Sequence, residues 1–395
     1  MQGSVTIAIC PATIISRYLL QPKSLSIHVM PEYQFVDLKT DDRLGTTIPE
    51  QSRIGVDTEF VREKTFYAQL CLIQIATESE IYCADPMGLD ARNDDRAKAL
   101  WQAITTPAWV LHSGRQDLEV IYQTVELMPR EVFDTQVAAA LLGYQPQIGY
   151  GNLVNELFGI ELAKSHTRAD WSQRPLPSSF MEYAAEDVQY LLPAYDTLTE
   201  RLEKLGRLQW AVEDSMDLLN PSLYESDATQ AINRIKGARN LRGRARSAAV
   251  SLAAWREREA LRRNRPRQWI IRDSVLLDIA INRPDTRQKL GATPGLAART
   301  AARAGDQLLG ILADAENEQS DYEPPQKPNE QQRAVLKKMQ KQVSDAAGEL
   351  GLATELLAPK KELSSALLGN RSLRIFRGWR REQVGQRLLE MLEDS

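Results

Sequence analysis

RIGVDTEF, residues 53–60, reads as a β-strand carrying two carboxylates. On a strand, side chains i and i+2 share a face, so Asp57 and Glu59 stand together, about 6.6 Å apart at about 3.3 Å per residue. Ile54, Val56, Thr58 and Phe60 take the other face. An Asp-x-Glu pattern is weak by itself: it occurs four times, starting at Asp57, Asp117, Asp314 and Asp321, and a solvated face is the default for any one copy. Position sets the first copy apart. Unpaired carboxylates inside an apolar strand are costly, whereas two on one sheet face can hold divalent cations.

Outward from this strand, Leu70–Ile75 and Ile81–Ala84 are short apolar runs around the polar turn Thr77–Glu80. A helix is expected over 94–104, a short buried strand at Val110–His112, and helices over 115–126, 134–142 and 151–158. Pro175 and Pro177 precede a long helix expected over 179–204, with Ser179 and Glu182 spaced as a capping box. Strands first, then interleaved and finally dominant helices, predict an α/β domain with a mixed sheet.

Two further places carry chemistry. In VLHSGRQDLEVI, Asp117 follows a strand end and a Gly-containing turn, where ligand groups of α/β folds gather; alone, it reads as a first-turn acid favouring the helix dipole. Tyr183 and Asp187 lie one turn apart on the same helix face. Taken together, four carboxylates and a tyrosine fit two-metal phosphoryl hydrolysis, which needs several carboxylates around two cations about 3.5–4 Å apart. Such all-oxygen ligand sets suit Mg²⁺ or Mn²⁺.

This order of motifs resembles the DEDDy 3′→5′ exonucleases. DTEFVREKTFYAQLCLIQIA, HSGRQDLEVIY, DTQVAAALLGY and DWSQRPLPSSFMEYAAEDVQYLLP are similar to the bacterial ribonuclease D family across 53–200. Glu182 stands where the related DEDDh branch carries histidine, so the tyrosine branch is indicated. The resemblance implies a ribonuclease H-like mixed-sheet domain that holds two divalent ions, Mg²⁺ or Mn²⁺. It assigns Asp57 to bridge both, Glu59 and Asp187 to complete the site of the water-activating ion, and Asp117 to the second. Tyr183 would hydrogen-bond the attacking water, Thr58 and Phe60 would flank the substrate, and the products would be nucleoside 5′-monophosphates.

Around these residues the sequence leaves choices open. His112 ends a strand near the site and reads better as a hydrogen-bonded supporting histidine than as a ligand, although contact with substrate is retained as an expectation. The SHTRADWSQRP loop brings His166, Arg168, Trp171 and Arg174 together. It either contacts the 3′-terminal nucleotides by Arg–phosphate pairs and stacking, or is a structural tryptophan among surface arginines. Gly149-Tyr150-Gly151 reads as a turn.

The chain is 395 residues, too long for one compact core. Its apolar runs are too short for a membrane helix. Three cysteines and three histidines exclude a disulfide scaffold and a histidine zinc site, and point to a reducing cytoplasm. There is no GxxxxGK[ST] loop and no GxSxG. The net charge of −4 hides a division: −10 over residues 1–210, +6 over 211–290 and 0 over 291–395. Residues 234–267 hold twelve Lys/Arg against two acids, including Arg242, Arg244 and Arg246 with Trp255 and Trp269 nearby. Arginine-rich and spread over several expected helices, this stretch is read as binding nucleic acid.

The division expected is an extension over 1–29, the exonuclease domain over 30–210, and a helical module over 211–293 resembling the helicase-and-RNase-D C-terminal (HRDC) domain. A second, less clear copy would occupy 294–395, with a polar linker at 316–330. By resemblance the partner is RNA with a single-stranded 3′ end, such as a tRNA precursor or small stable RNA. A monomer is expected on other grounds, since no exposed heptad or apolar patch is legible. A DNA exonuclease of the proofreading or Werner type uses the same carboxylates and is the nearest rival. A binding module with a dead exonuclease fold is disfavoured by the intact acids.

Overall fold

The computed structural model describes residues 31–90, 92–162, 169–317, 322–323 and 328–393. The extension at 1–29, His166, Arg168 and most of the 316–330 linker lie outside the described residues.

A six-stranded mixed sheet forms the first domain, in the order β1-β4-β3-β2-β5-β6. The strands are β1 (Gln34–Asp37), β2 (Arg53–Val61), β3 (Gln69–Ala76), β4 (Ile81–Asp85), β5 (Ala108–Leu111) and β6 (Val132–Asp134). β3 runs antiparallel to both β2 and β4, while β1 with β4, β2 with β5, and β5 with β6 pair in parallel. The sequence pattern does not reveal β1 and β6: they sit at the two edges and are four and three residues long, too short to show alternation.

On one sheet face Val56, Ile73 and Ile75 pack with Trp101, Leu118 and Ile121. On the other, helices Ser178–Gln189 and Leu191–Lys204 cover Leu72, Cys83, Ala76 and Val110. These two helices replace the one long helix expected over 179–204. Pro193 explains the break, since it has no N–H for the Gln189 carbonyl and its ring would clash with that group. Nor does a capping box form: the first helix is entered from extended Pro177 with no side-chain cap. Gly55 lets the second helix approach, because a Cβ there would stand 3.0 Å from that of Leu191.

Beyond residue 217 the described residues hold no strand. One helical bundle surrounds the Gly243–Arg262 helix, and its core joins Ile232, Leu252, Trp255, Leu276 and Leu290 to Ala304, Leu308 and Leu312 of the Ala298–Asn317 helix. A division at 293 therefore cuts through this bundle, and its packing continues to 315.

The remaining helices, from Glu330 to Glu393, pack on the first domain. Leu336, Met339, Val343, Leu363 and Leu388 share one core with Phe133, Leu198, Leu202 and Ala211. Trp379 stacks on Trp210 at 4.6 Å with planes 7° apart.

Candidate active site

β2 presents Asp57 and Glu59 toward the Ser178–Gln189 helix, which brings Asp187 down on them. Asp57, Glu59 and Asp187 each place an oxygen within 4.8 Å of the others. All three are half-buried. Phe60 alternates to the opposite face and packs against that core, where a register shift skips Cys71 of β3 and pairs Phe60 with Leu70.

Asp117 arrives from the first turn of helix Arg115–Val125. The turn before it is tight: Ser113 has φ 58°, and a Cβ on Gly114 would lie 2.6 Å from that of Leu111. Asp134 braces this turn by accepting from the Ser113 and Gly114 backbone N–H groups at 3.1 and 2.9 Å. Asp117 stands outside the tight group of three, and the buried Thr58 hydroxyl donates to it at 2.5 Å. Thr58 thus fixes a carboxylate; it is not the substrate contact expected from the sequence.

All four acids are hard to ionise together. Burial comes first for each and raises Asp57 well above the ordinary range, with Asp117, Asp187 and Glu59 adding repulsion. Burial, then Asp187 and Asp117, push Glu59 up to about 9. Burial carries Asp187 up to about 7, against a hydrogen bond from the Tyr183 hydroxyl that favours its charge. Burial likewise carries Asp117 up to about 6, opposed by the Thr58 bond. Tyr183 is itself raised, by burial and by Asp187. An all-carboxylate donor set whose members repel one another fits hard divalent cations.

A pH dependence follows. These acids have folded-state values above their unfolded values near 4, so in the metal-free protein they bind excess protons between about pH 4 and 9. Their contribution to stability is whole below that window and is lost as pH rises through it. Saturating Mg²⁺ is therefore expected to raise the unfolding midpoint over EDTA by an amount that grows from about pH 5 to 9. Calorimetric scans across that range check it; a gap that does not widen would contradict it.

The structure redirects several other residues. His112 is held on both ring nitrogens, by the Ile148 carbonyl and the Thr135 hydroxyl, each at 2.9 Å. Burial keeps its pKa low. With both ring nitrogens engaged inside the domain, His112 is a support and has no nitrogen left for substrate. Trp171 is only 5% exposed, packed with Phe180 and with the Tyr183 ring at 6.2 Å, so it backs the tyrosine and offers no stacking face. Arg174 grips Asp85 through Nε and Nη2 at 2.5 and 2.9 Å and donates to the Cys71 and Trp171 carbonyls. Its donors are engaged inside the domain, which removes it as a phosphate fork.

Tyr150 is a supporting residue that sequence reading missed by taking 149–151 as a turn. It starts helix Tyr150–Phe158, and its hydroxyl accepts from the Tyr190 N–H at 2.9 Å, at the break between the two covering helices.

Part of the basic stretch is also internal. Arg256 is buried on Asp273, Arg267 and Arg234 pair with buried Glu257, and Arg246 donates through Nε to the Leu241 carbonyl. Arg242 and Arg244 are exposed, although Arg242 donates to the Arg239 and Leu241 carbonyls and Arg244 pairs with Glu316 at 2.9 Å. Trp269 is 53% exposed, with the exposed Arg265 guanidinium 5.9 Å from its ring centre. This corner touches the catalytic domain. The Asn264 side chain accepts from Phe66 and Tyr67 N–H at 3.0 Å, in the loop that follows β2.

A family model described as a 3′-5′ exonuclease matches residues 39–203. Ribonuclease D of Sphingobium indicum is 34% identical over 377 residues, which cover 90% of this chain and 93% of that protein. The chain belongs to the ribonuclease D family. Ribonuclease D of Xanthomonas oryzae pv. oryzae is 35% identical over 373 residues, covering 93% of this chain and 99% of that one. The crystal structure of Escherichia coli RNase D, described as an exoribonuclease involved in structured RNA processing, matches with a TM-score of 0.80 and 29% identity. That match covers 92% of this chain and 99% of the other. An HRDC domain model matches residues 247–312, within the bundle that continues past 293. As a member of the ribonuclease D family, this chain is a 3′-5′ exoribonuclease; a DNA-directed or inactive protein is not favoured.

Proposed function

We propose that this exoribonuclease trims the single-stranded 3′ ends of tRNA precursors and other small structured RNAs in the cytoplasm, acting as a monomer. The observation that supports the reading most is the convergence of Asp57, Glu59 and Asp187, with oxygens within 4.8 Å of one another. These three, with Asp117, would hold two divalent ions, Mg²⁺ or Mn²⁺. Bound there, such ions supply charge neutralisation and a lowered water pKa.

The chain's own residues do the rest. The Tyr183 hydroxyl lies hydrogen-bonded to Asp187, where it can orient the attacking water. Water adds in line to the terminal phosphorus, the bond to the preceding 3′ oxygen breaks, and that oxygen is protonated as the nucleoside 5′-monophosphate leaves. Thr58 keeps Asp117 in place, and Trp171 backs Tyr183. The helical region 330–393, a second HRDC-like module in this reading, braces the catalytic domain through their shared core.

The test is a time course on a 5′-labelled RNA with a 3′ tail beside a stem, in Mg²⁺, Mn²⁺ or EDTA, against matched DNA. A metal-dependent one-nucleotide ladder on RNA that stalls near the stem is expected. Equal or faster shortening of DNA would overturn the substrate assignment.

The exposed pair of Trp269 and Arg265 fits a strand-stacking platform. Trp269→Ala is expected to weaken binding of single-stranded RNA by about 1–3 kcal/mol, the range for one base–aromatic stack. Arg265→Ala should reduce the slope of log affinity against log salt by up to about 1. Filter binding across a salt series reads both, and unchanged affinity in both variants would remove the platform.

A further inference from the structure

Gln74 lies in the middle of β3 and is fully buried. Among the described residues, neither its side-chain Nε2 nor its Oε1 has a hydrogen-bond partner. A buried amide left in this state pays its desolvation without return, so an apolar residue of similar shape would suit the metal-free fold better.

Its place in the sheet indicates what the amide is for. Gln74 is paired directly across from Asp57, and directly across from Cys83 on its other side. Residues opposite one another in an antiparallel pair project to the same face, with Cβ atoms about 4.5–5.5 Å apart. The diagonal neighbours on β2 are Gly55, which has no side chain, and Glu59. Cys83 is occupied with the Met181 carbonyl, and the covering helix contributes the apolar Met181, Ala184 and Ala185. Directly across the strand pair, the carboxylate that shares its face with the Gln74 amide is therefore that of Asp57.

We infer that Gln74 is a positioning residue, whose amide N–H donates to the Asp57 carboxylate and orients it when Asp57 holds a divalent cation. This rests on the proposed reading of Asp57 as a metal ligand. Outer partners of this kind orient ligating carboxylates and are commonly worth about 10–100-fold in metal affinity.

Two measurements on the full chain test it. Mn²⁺ affinity is measured by isothermal titration calorimetry, and the metal-free unfolding midpoint by calorimetry in EDTA. Gln74→Met, nearly the same shape without the amide, is expected to bind Mn²⁺ at least about tenfold more weakly while its metal-free midpoint equals or exceeds that of the parent. Unchanged affinity overturns the inference. So does a weakened affinity with a lowered metal-free midpoint, because that is packing damage. Gln74→Leu is the second variant, and failure of both to fold also overturns the inference, since the amide would then support the metal-free fold. Asp57→Asn separates the two ideas: if it keeps the parent affinity, Asp57 is no ligand, whereas loss there with no change in Gln74→Met defeats only the role of Gln74.

Discussion

Asp57→Asn is expected to abolish hydrolysis while leaving the fold intact. Asp57 feels Asp117, Asp187 and Glu59 all at once, which places it at the centre of the acidic group. Asparagine keeps the shape and removes the charge. If Asp57 is shared between two cations, its loss forfeits several kcal/mol of transition-state stabilisation, about a thousandfold or more in rate. RNA affinity at the basic bundle should remain, because Trp269 and Arg265 belong to separate elements. The same variant should behave distinctively without metal. With one fewer acid titrating in the crowded group, its unfolding midpoint in EDTA should decline less steeply between about pH 5 and 9 than that of the parent. Turnover within tenfold of the parent would remove Asp57 from the reaction. An unchanged pH slope would show that the four acids are not coupled as the geometry implies.

How much of this could be read from residues alone depended on the range of each interaction. Asp57 and Glu59 were legible because a two-residue period on an apolar strand is a local signal. Tyr183 and Asp187 were legible because one helical turn is also local. Thr58 was misread because its bond to Asp117 spans 59 positions, and nothing local marks it. Arg174 and Trp171 looked available to RNA by composition, yet the partner of Arg174, Asp85, lies 89 positions away, and exposure is a tertiary property. The basic stretch misleads in the same way, since Arg256 and Arg267 turn inward onto acids of their own bundle. The break near Tyr190 was written locally, in Pro193, but the strong helical periodicity on both sides masked it.

The C-terminal helices were the least legible part, because their apolar faces close against a domain more than a hundred residues upstream, and this carries the second large prediction. Asp214→Ala is expected to destabilise the whole chain by about 3–5 kcal/mol, the cost of stranding a buried charge. The stranded charge is Arg380, whose side chain is 3% exposed. It donates to both Asp214 oxygens, at 2.5 and 2.7 Å, and through Nε to the Leu356 carbonyl. Asp214 also accepts from the Trp379 indole at 3.1 Å, the ring that stacks on Trp210. One carboxylate thus ties Trp379 and Arg380 to helix Leu208–Met216, which packs on the catalytic domain through Ala211 and through the Ser215 hydroxyl that accepts from the Asp134 N–H. At about 2–4 °C per kcal/mol for domains of this size, the unfolding midpoint should fall by about 10 °C. Asp214→Leu combined with Arg380→Met should recover most of that loss, because an apolar pair of similar volume avoids the desolvation of both ions. A midpoint unchanged in the single variant would mean that the C-terminal helices are held by their apolar core alone. The same packing bears on the simplest truncation. Deleting residues 211–395 would expose Phe133, Leu198 and Leu202, so a loss of RNA binding in that fragment would report a damaged core; point substitutions at Trp269 and Arg265 avoid this.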